Sequence, residues 1–140
     1  MTNERKPVAI GLDVGTKTIG VAATDALGML AHPLQTIRRK GVKADVEAIV
    51  ALAGKRGSRT FVVGLPYELD GNERRSARLA RQIGDELVAR GFDVHLVDER
   101  FSTVDAEAAL REGGSSFERR AEIIDQAAAA VILTRWLAGA

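Results

Sequence analysis

Three β-rich segments crowd into the first quarter of the chain, and their spacing restricts the fold more than any other feature. Residues 8–12 (VAIGL) are almost wholly apolar, 19–24 read IGVAAT, and 29–37 read MLAHPLQTI. Only short turn-like stretches separate them: GTKT after an aspartate, then DALG. Parallel neighbours need a crossover of about a dozen residues, so two tight connections in a row predict an antiparallel three-strand meander. Pro33 predicts that the third strand lies at an edge or is broken there, because proline cannot donate to a ladder.

Beyond the meander the hydrophobic period changes. Val42, Val46, Ile49, Val50 and Ala53 recur at helical spacing, with Gly54 and Gly57 as stop signals. Residues 60–66 (TFVVGLP) form a buried strand ended by Gly64 and Pro66, and 67–75 form a loop. A helix follows, capped by Asn72 or Ser76, with Ala80, Ile83, Leu87 and Val88 inward and Gly91 closing it. Residues 92–99 read as another strand. Ser102 and Asp105 cap a short helix that runs to about residue 112. After the GGSS loop a last helix covers about 118–137. The order β-β-β-α-β-α-β-α-α gives an α/β fold: a mixed five-stranded sheet, the meander first and parallel strands added by helical crossovers.

The 140 residues suit one domain, 1–140, large enough to need no disulfide or structural metal for stability. Cysteine is absent, which excludes disulfides, thiolate catalysis and Cys-based zinc sites. The longest uncharged run, residues 26–37, is 12 residues, against about 20 for a membrane span, so a soluble protein is expected. A net charge of +1 excludes a polycation; any nucleic acid must be held by a local patch.

Three carboxylates stand in apolar sequence. Asp13 ends the first strand, Glu99 ends the last beside Asp98, and Asp125 lies between Ile124 and the run Ala127 to Ala130. An isolated buried carboxylate is costly and tends to take up a proton, so each needs a cation, donors or a metal. The alanines let a helix approach a sheet closely and could bring Asp125 towards Asp13 and Glu99. Three converging acids suit Mg²⁺ or Mn²⁺, which prefer oxygen ligands. The plainer reading is three separate solvated or capping acids, with Asp125 paired to Arg119 or Arg120. Neighbours in a strand face opposite sides, so only one of Asp98 and Glu99 can point at such a site.

Taken together, GLDVGTKTIGVAATD, VVGLPYELDGNE, VDERFST and IIDQAAAAVIL resemble the YqgF family, also called RuvX. The resemblance runs from about Val8 to Leu137. It implies an RNase H-like fold related to the RuvC resolvase. It also implies a cytoplasmic bacterial nuclease that matures the 5′ end of precursor 16S ribosomal RNA, or one that resolves Holliday junctions in DNA. The expected partner is therefore precursor rRNA, in the setting of ribosomal particles, or branched DNA, with the protein acting as a monomer or homodimer. The family's metal-binding acids map onto Asp13, Glu99 and Asp125. The chain departs from the family pattern after its Asp-Gly step. It also has Arg119 and Arg120 where a lysine is common before the last aspartate.

Basic residues cluster at Arg38, Arg39, Lys40 and Lys43; at Lys55, Arg56 and Arg59; at Arg74, Arg75, Arg78 and Arg81; and at Arg119 and Arg120. Phosphate contacts of this kind bind with little sequence information. Lys17, Arg74, Arg75, Arg100, Arg119 and Arg120 are the candidates, since they adjoin the acids or a strand-end loop. Lys55 and Arg56 read as an ordinary solvated helix face. Two other functions fit parts of the sequence. DVGTKTIGVA resembles the first phosphate loop of actin-like ATPases, and the fold would also serve a non-catalytic RNA-binding assembly factor.

Overall fold

In the first strand every second side chain must face one of two covering layers. Ile10, Leu12 and Val14 join one core; Ala9 joins another. That division organises the computed structural model, which describes residues 8–65, 75–98 and 117–139. Its strands are β1 (Ala9–Val14), β2 (Thr18–Thr24), β3 (Ala31–Arg38), β4 (Thr60–Leu65) and β5 (Asp93–Asp98). Its helices are α1 (Val42–Lys55), α2 (Arg75–Ala89) and α3 (Phe117–Leu137). The sheet order is β3-β2-β1-β4-β5. β1, β2 and β3 pair antiparallel, while β4 and β5 add in parallel to β1, as the connection lengths predict. The expected short helix before residue 112 lies outside the described residues.

On one face, α1 and α2 bury Val46, Ile49, Ala53, Ala80, Ile83 and Leu87 against Ile19, Val21, Phe61 and Val63. Phe61 and Phe92 meet edge to face at 5.3 Å, a favourable quadrupolar arrangement. Val88, expected to face inward, is instead 56% exposed. It follows Leu87 by one residue, a rotation of about 100° on a helix, which carries it off the buried stripe. Ser76 lies within α2 rather than ahead of it.

On the other face α3 is the one helix among the described residues that covers the sheet, through Ala128, Ala129, Ile132 and Leu133. It comes unusually close because two facing strand positions carry no side chain. A Cβ on Gly11 would lie 2.8 Å from the Ala129 carbonyl oxygen, and one on Gly20 only 2.0 Å from the Asp125 carbonyl oxygen. The alanine run is thus half of the device; the glycines below it are the other half.

β3 is an edge strand, and its register shifts where Val21 opposes Gln35 but Ala22 opposes Pro33. The extra residue is a bulge that lets the imino acid sit in the ladder. β3 begins two residues later than the hydrophobic pattern suggests. The Asp25 side chain accepts the Met29 N–H at 2.9 Å, and the Asp25 N–H donates to the Leu30 carbonyl at 3.0 Å, so the turn takes in both residues.

Gly20→Ala should lower unfolding free energy by about 3 kcal/mol, the upper range for overpacking, because backbone rather than a movable side chain blocks the methyl. Gly54→Ala, in α1 with nothing within 4 Å of its would-be Cβ, should raise it by about 0.5–1 kcal/mol. Urea unfolding of the two variants checks both signs.

Candidate active site

Asp13 occupies the α3 face. It continues the set Ala9, Gly11, Asp13, whose first two members meet α3, and strand side chains alternate. Across the ladder Asp13 pairs with Gly20, the residue pressed against the backbone of Asp125. The two aspartates therefore flank one bare strand position. Both are half-buried.

Thr18, also on the α3 face, donates its hydroxyl to Asp125 Oδ2 at 2.6 Å. This short bond to a carboxylate fixes the side chain. Arg119 and Arg120 lie in the first turn of α3. Burial pushes the Asp125 carboxyl above its ordinary value, the Thr18 hydrogen bond pulls it back, and the charge of Glu122 adds to the rise.

The turn between β1 and β2 is held from outside. The Gly15 N–H donates to the Thr18 carbonyl at 2.8 Å. Arg39 donates from Nη1 to the Gly15 carbonyl at 3.2 Å, and its N–H donates to the Lys17 carbonyl at 2.9 Å. Its Nε meets Asp45 Oδ2 at 2.9 Å, in a pair whose side chains are 9% and 1% exposed. The second Asp45 oxygen accepts the Lys40 N–H at 2.9 Å. Sequence reading groups Arg39 with the cations available to phosphate; the structure commits it to Asp45 and to the turn. An apolar-flanked Asp in the first turn of α1, six residues after an arginine, was the available signal.

Lys17 is exposed in that turn. Arg75 stands at the start of α2. Glu99, Arg74 and Arg100 lie outside the described residues. Asp98 ends β5 in the set Val94, Leu96, Asp98, whose first two side chains come within 3.7 and 4.0 Å of a would-be Cβ on Gly84 of α2. Val97 belongs to the α3-side core instead. Arg135 of α3 donates to the Asp98 carbonyl at 3.0 Å. The His95 ring lies 5.3 Å from that of Trp136, tilted by 41°, and its Nε2 has Asp93 Oδ2 at 3.0 Å. Among the described residues no group of three or more His, Cys, Asp or Glu is arranged to hold a metal ion. The donor set at the site is two carboxylates, which suits a hard cation rather than a soft one. No helix among the described residues is long and apolar enough to cross a membrane.

Two expectations follow from these pairs. Native Asp125 binds its proton more tightly than the unfolded chain does, so stability falls as pH rises from its ordinary 3.8 through the raised native value. Asp125→Asn should therefore melt higher than the parent at pH 7 without added metal, and this advantage should fade as the pH is lowered towards 3.8. Asp45→Ala should cost about 3–5 kcal/mol, since it leaves the Arg39 guanidinium buried without its counter-charge; urea titration measures it.

Known proteins resemble this chain in sequence and in fold. Residues 7–139 match the RuvX family, described as a Holliday junction resolvase. A Myxococcus xanthus protein named "Putative pre-16S rRNA nuclease" is 46% identical, the match covering 91% of this chain and 85% of the relative. One of the same name from Moorella thermoacetica is 45% identical over 91% of this chain and 92% of its own. Among solved structures, T. thermophilus RuvC in complex with a Holliday junction substrate superposes with a TM-score of 0.62 at 15% identity, covering 96% of this chain and 98% of that one. Fowlpox virus resolvase with its junction DNA gives 0.56 at 8% identity, covering 94% and 97%. At such identities the structural likeness speaks for the fold, which is the RuvC-like, RNase H-type arrangement expected from the sequence. The matched span and the level of identity place this chain in the RuvX family.

Proposed function

We propose that the chain, acting as one nuclease domain over residues 1–140, hydrolyses phosphodiester bonds of structured nucleic acid. Its substrate in this reading is the 5′ end of precursor 16S rRNA, in the cytoplasm. The observation that carries the reading is that Gly20, the ladder partner of Asp13 near the carboxyl end of β1, is pressed against the backbone of Asp125. Ligands of α/β folds gather at that end of the strands. The names of the relatives supply the nucleic-acid class and favour RNA over a DNA junction.

Asp13 and Asp125 would hold Mg²⁺ or Mn²⁺, with Glu99 as the third ligand. The alternation that puts Val97 on the α3 side supports Glu99 over Asp98 for that place. When bound, such an ion supplies a lowered water pKa and stabilisation for the leaving oxygen. The protein's own part is to orient. Thr18 holds one oxygen of Asp125, and the Arg39 clamp keeps the turn that carries Lys17 in place. Lys17 meets a phosphate of the substrate, with Arg74, Arg75, Arg100, Arg119 and Arg120 as further phosphate contacts. The raised proton affinity of Asp125 suits a site completed by a cation, since a bound cation favours the ionised form.

Asp13→Asn should reduce Mg²⁺- or Mn²⁺-dependent cleavage of a precursor 16S 5′ fragment by at least about a hundredfold, beyond the range for outer-shell residues. Cleavage of a four-way DNA junction in place of the RNA would reassign the substrate. Full activity in Asp13→Asn would remove the acid pair from the chemistry.

A further inference from the structure

The register of β2 and β3 assembles a cationic strip beside the acid pair that chain order does not reveal. Thr18 pairs with Arg38, and the Arg39 N–H donates to the Lys17 carbonyl. Lys17 and Arg38 therefore stand on adjacent strand ends, at the end of the sheet that carries Asp13, with Lys40 following. All three side chains are exposed, that of Arg38 to 80%. Its acidic neighbour Glu122 is 3.9 Å away and itself about half-exposed, a solvent-screened contact of little strength. Asp45, the other acid close to this connection, is buried and occupied by Arg39 and by the Lys40 N–H. It anchors the backbone there without neutralising the exposed cations. β3 is the sheet edge, so the strip opens to solvent.

We infer that Arg38 and Lys40, with Lys17, form a track for the sugar–phosphate backbone of the substrate. The track leads from the Asp13–Asp125 pair across the β1–β2 turn onto the connection between β3 and α1. This rests on the nuclease reading and adds a direction to it. From β1 to β3 is two strand spacings, about 10 Å. A span of that size takes in only the nearest phosphates of one strand. The track therefore holds the strand being cut, a few nucleotides from the scissile bond, and reads charge rather than sequence. The cations at the opposite end of the sheet lie off this path. Arg59 there is turned to the Gly91 carbonyl and the Phe92 ring.

Arg38→Gln/Lys40→Gln and an equal-charge control, Lys55→Gln/Arg56→Gln, separate the track from general electrostatics. Binding of a fluorescent precursor 16S fragment to the full chain is followed by anisotropy in Ca²⁺ or EDTA, across a salt series. The track variant should bind about tenfold more weakly at ~0.1 M salt. Its slope of log affinity against log salt should shrink by about one for each lost phosphate contact. The control should match the parent. An unchanged slope in the track variant, or equal losses in both variants, would overturn the track. If the parent still cleaves the RNA in Mg²⁺, the nuclease reading survives that failure. A parent that neither binds nor cleaves RNA or junction DNA overturns both. Thermal melts of the two variants should coincide with the parent, since all four side chains are exposed.

Discussion

The absence of a side chain at Gly20 is the constraint on which the site depends. Asp125 belongs to a helix and Asp13 to a strand, and ordinary helix-on-sheet packing would keep them apart by a layer of side chains. Gly20 removes that layer at one point and Gly11 at another. Alanines at 128 and 129 do the same from above. The contact is backbone against backbone, so it fixes the height of α3 over the sheet and its register along β2. Any methyl at position 20 displaces the helix, and the carboxylate with it.

Close approach has a cost, visible in Asp125. Burial disfavours its charge, and one hydroxyl from Thr18 compensates only in part. A structure selected for stability alone would place an amide or an apolar residue there. The Arg39–Asp45 pair is the opposite case. Both of its charges are buried, yet each has a partner, and the donors reach the Gly15 and Lys40 backbones as well. Asp125 is half-buried with its charge disfavoured, whereas Asp45 is buried and fully occupied; that contrast separates the candidate site from its scaffold.

Much of this was legible in the sequence because it rests on period and spacing. Two short turns specified the meander, and the change of period located α1, β4 and β5 to within a few residues. The helix aspartate before four alanines already suggested close packing. The glycines beneath it were harder to read, since Gly11 and Gly20 look like weak strand residues until the partner helix is in place. Arg39 misled for a related reason. Among Arg38, Lys40 and Lys43 it looks like one more solvated cation, and only the entry angle of α1 turns it inward. Pairing across strands is likewise invisible to local pattern, so the neighbourhood of Lys17 and Arg38 emerges only with the register. Val88 shows the limit of the helical wheel: a single step past the buried stripe reaches solvent.

Thr18 and Asp125 are 107 residues apart in the chain, and the acid pair spans a similar interval. The meander can fold locally, but it carries half of a site. The other half arrives only when α3 has been made and has settled onto the glycines. Before that moment a nascent chain or a partly folded one presents a lone strand-end aspartate and no competing geometry. In the nuclease reading proposed above, topology would withhold the chemistry until the fold is closed, without an inhibitor.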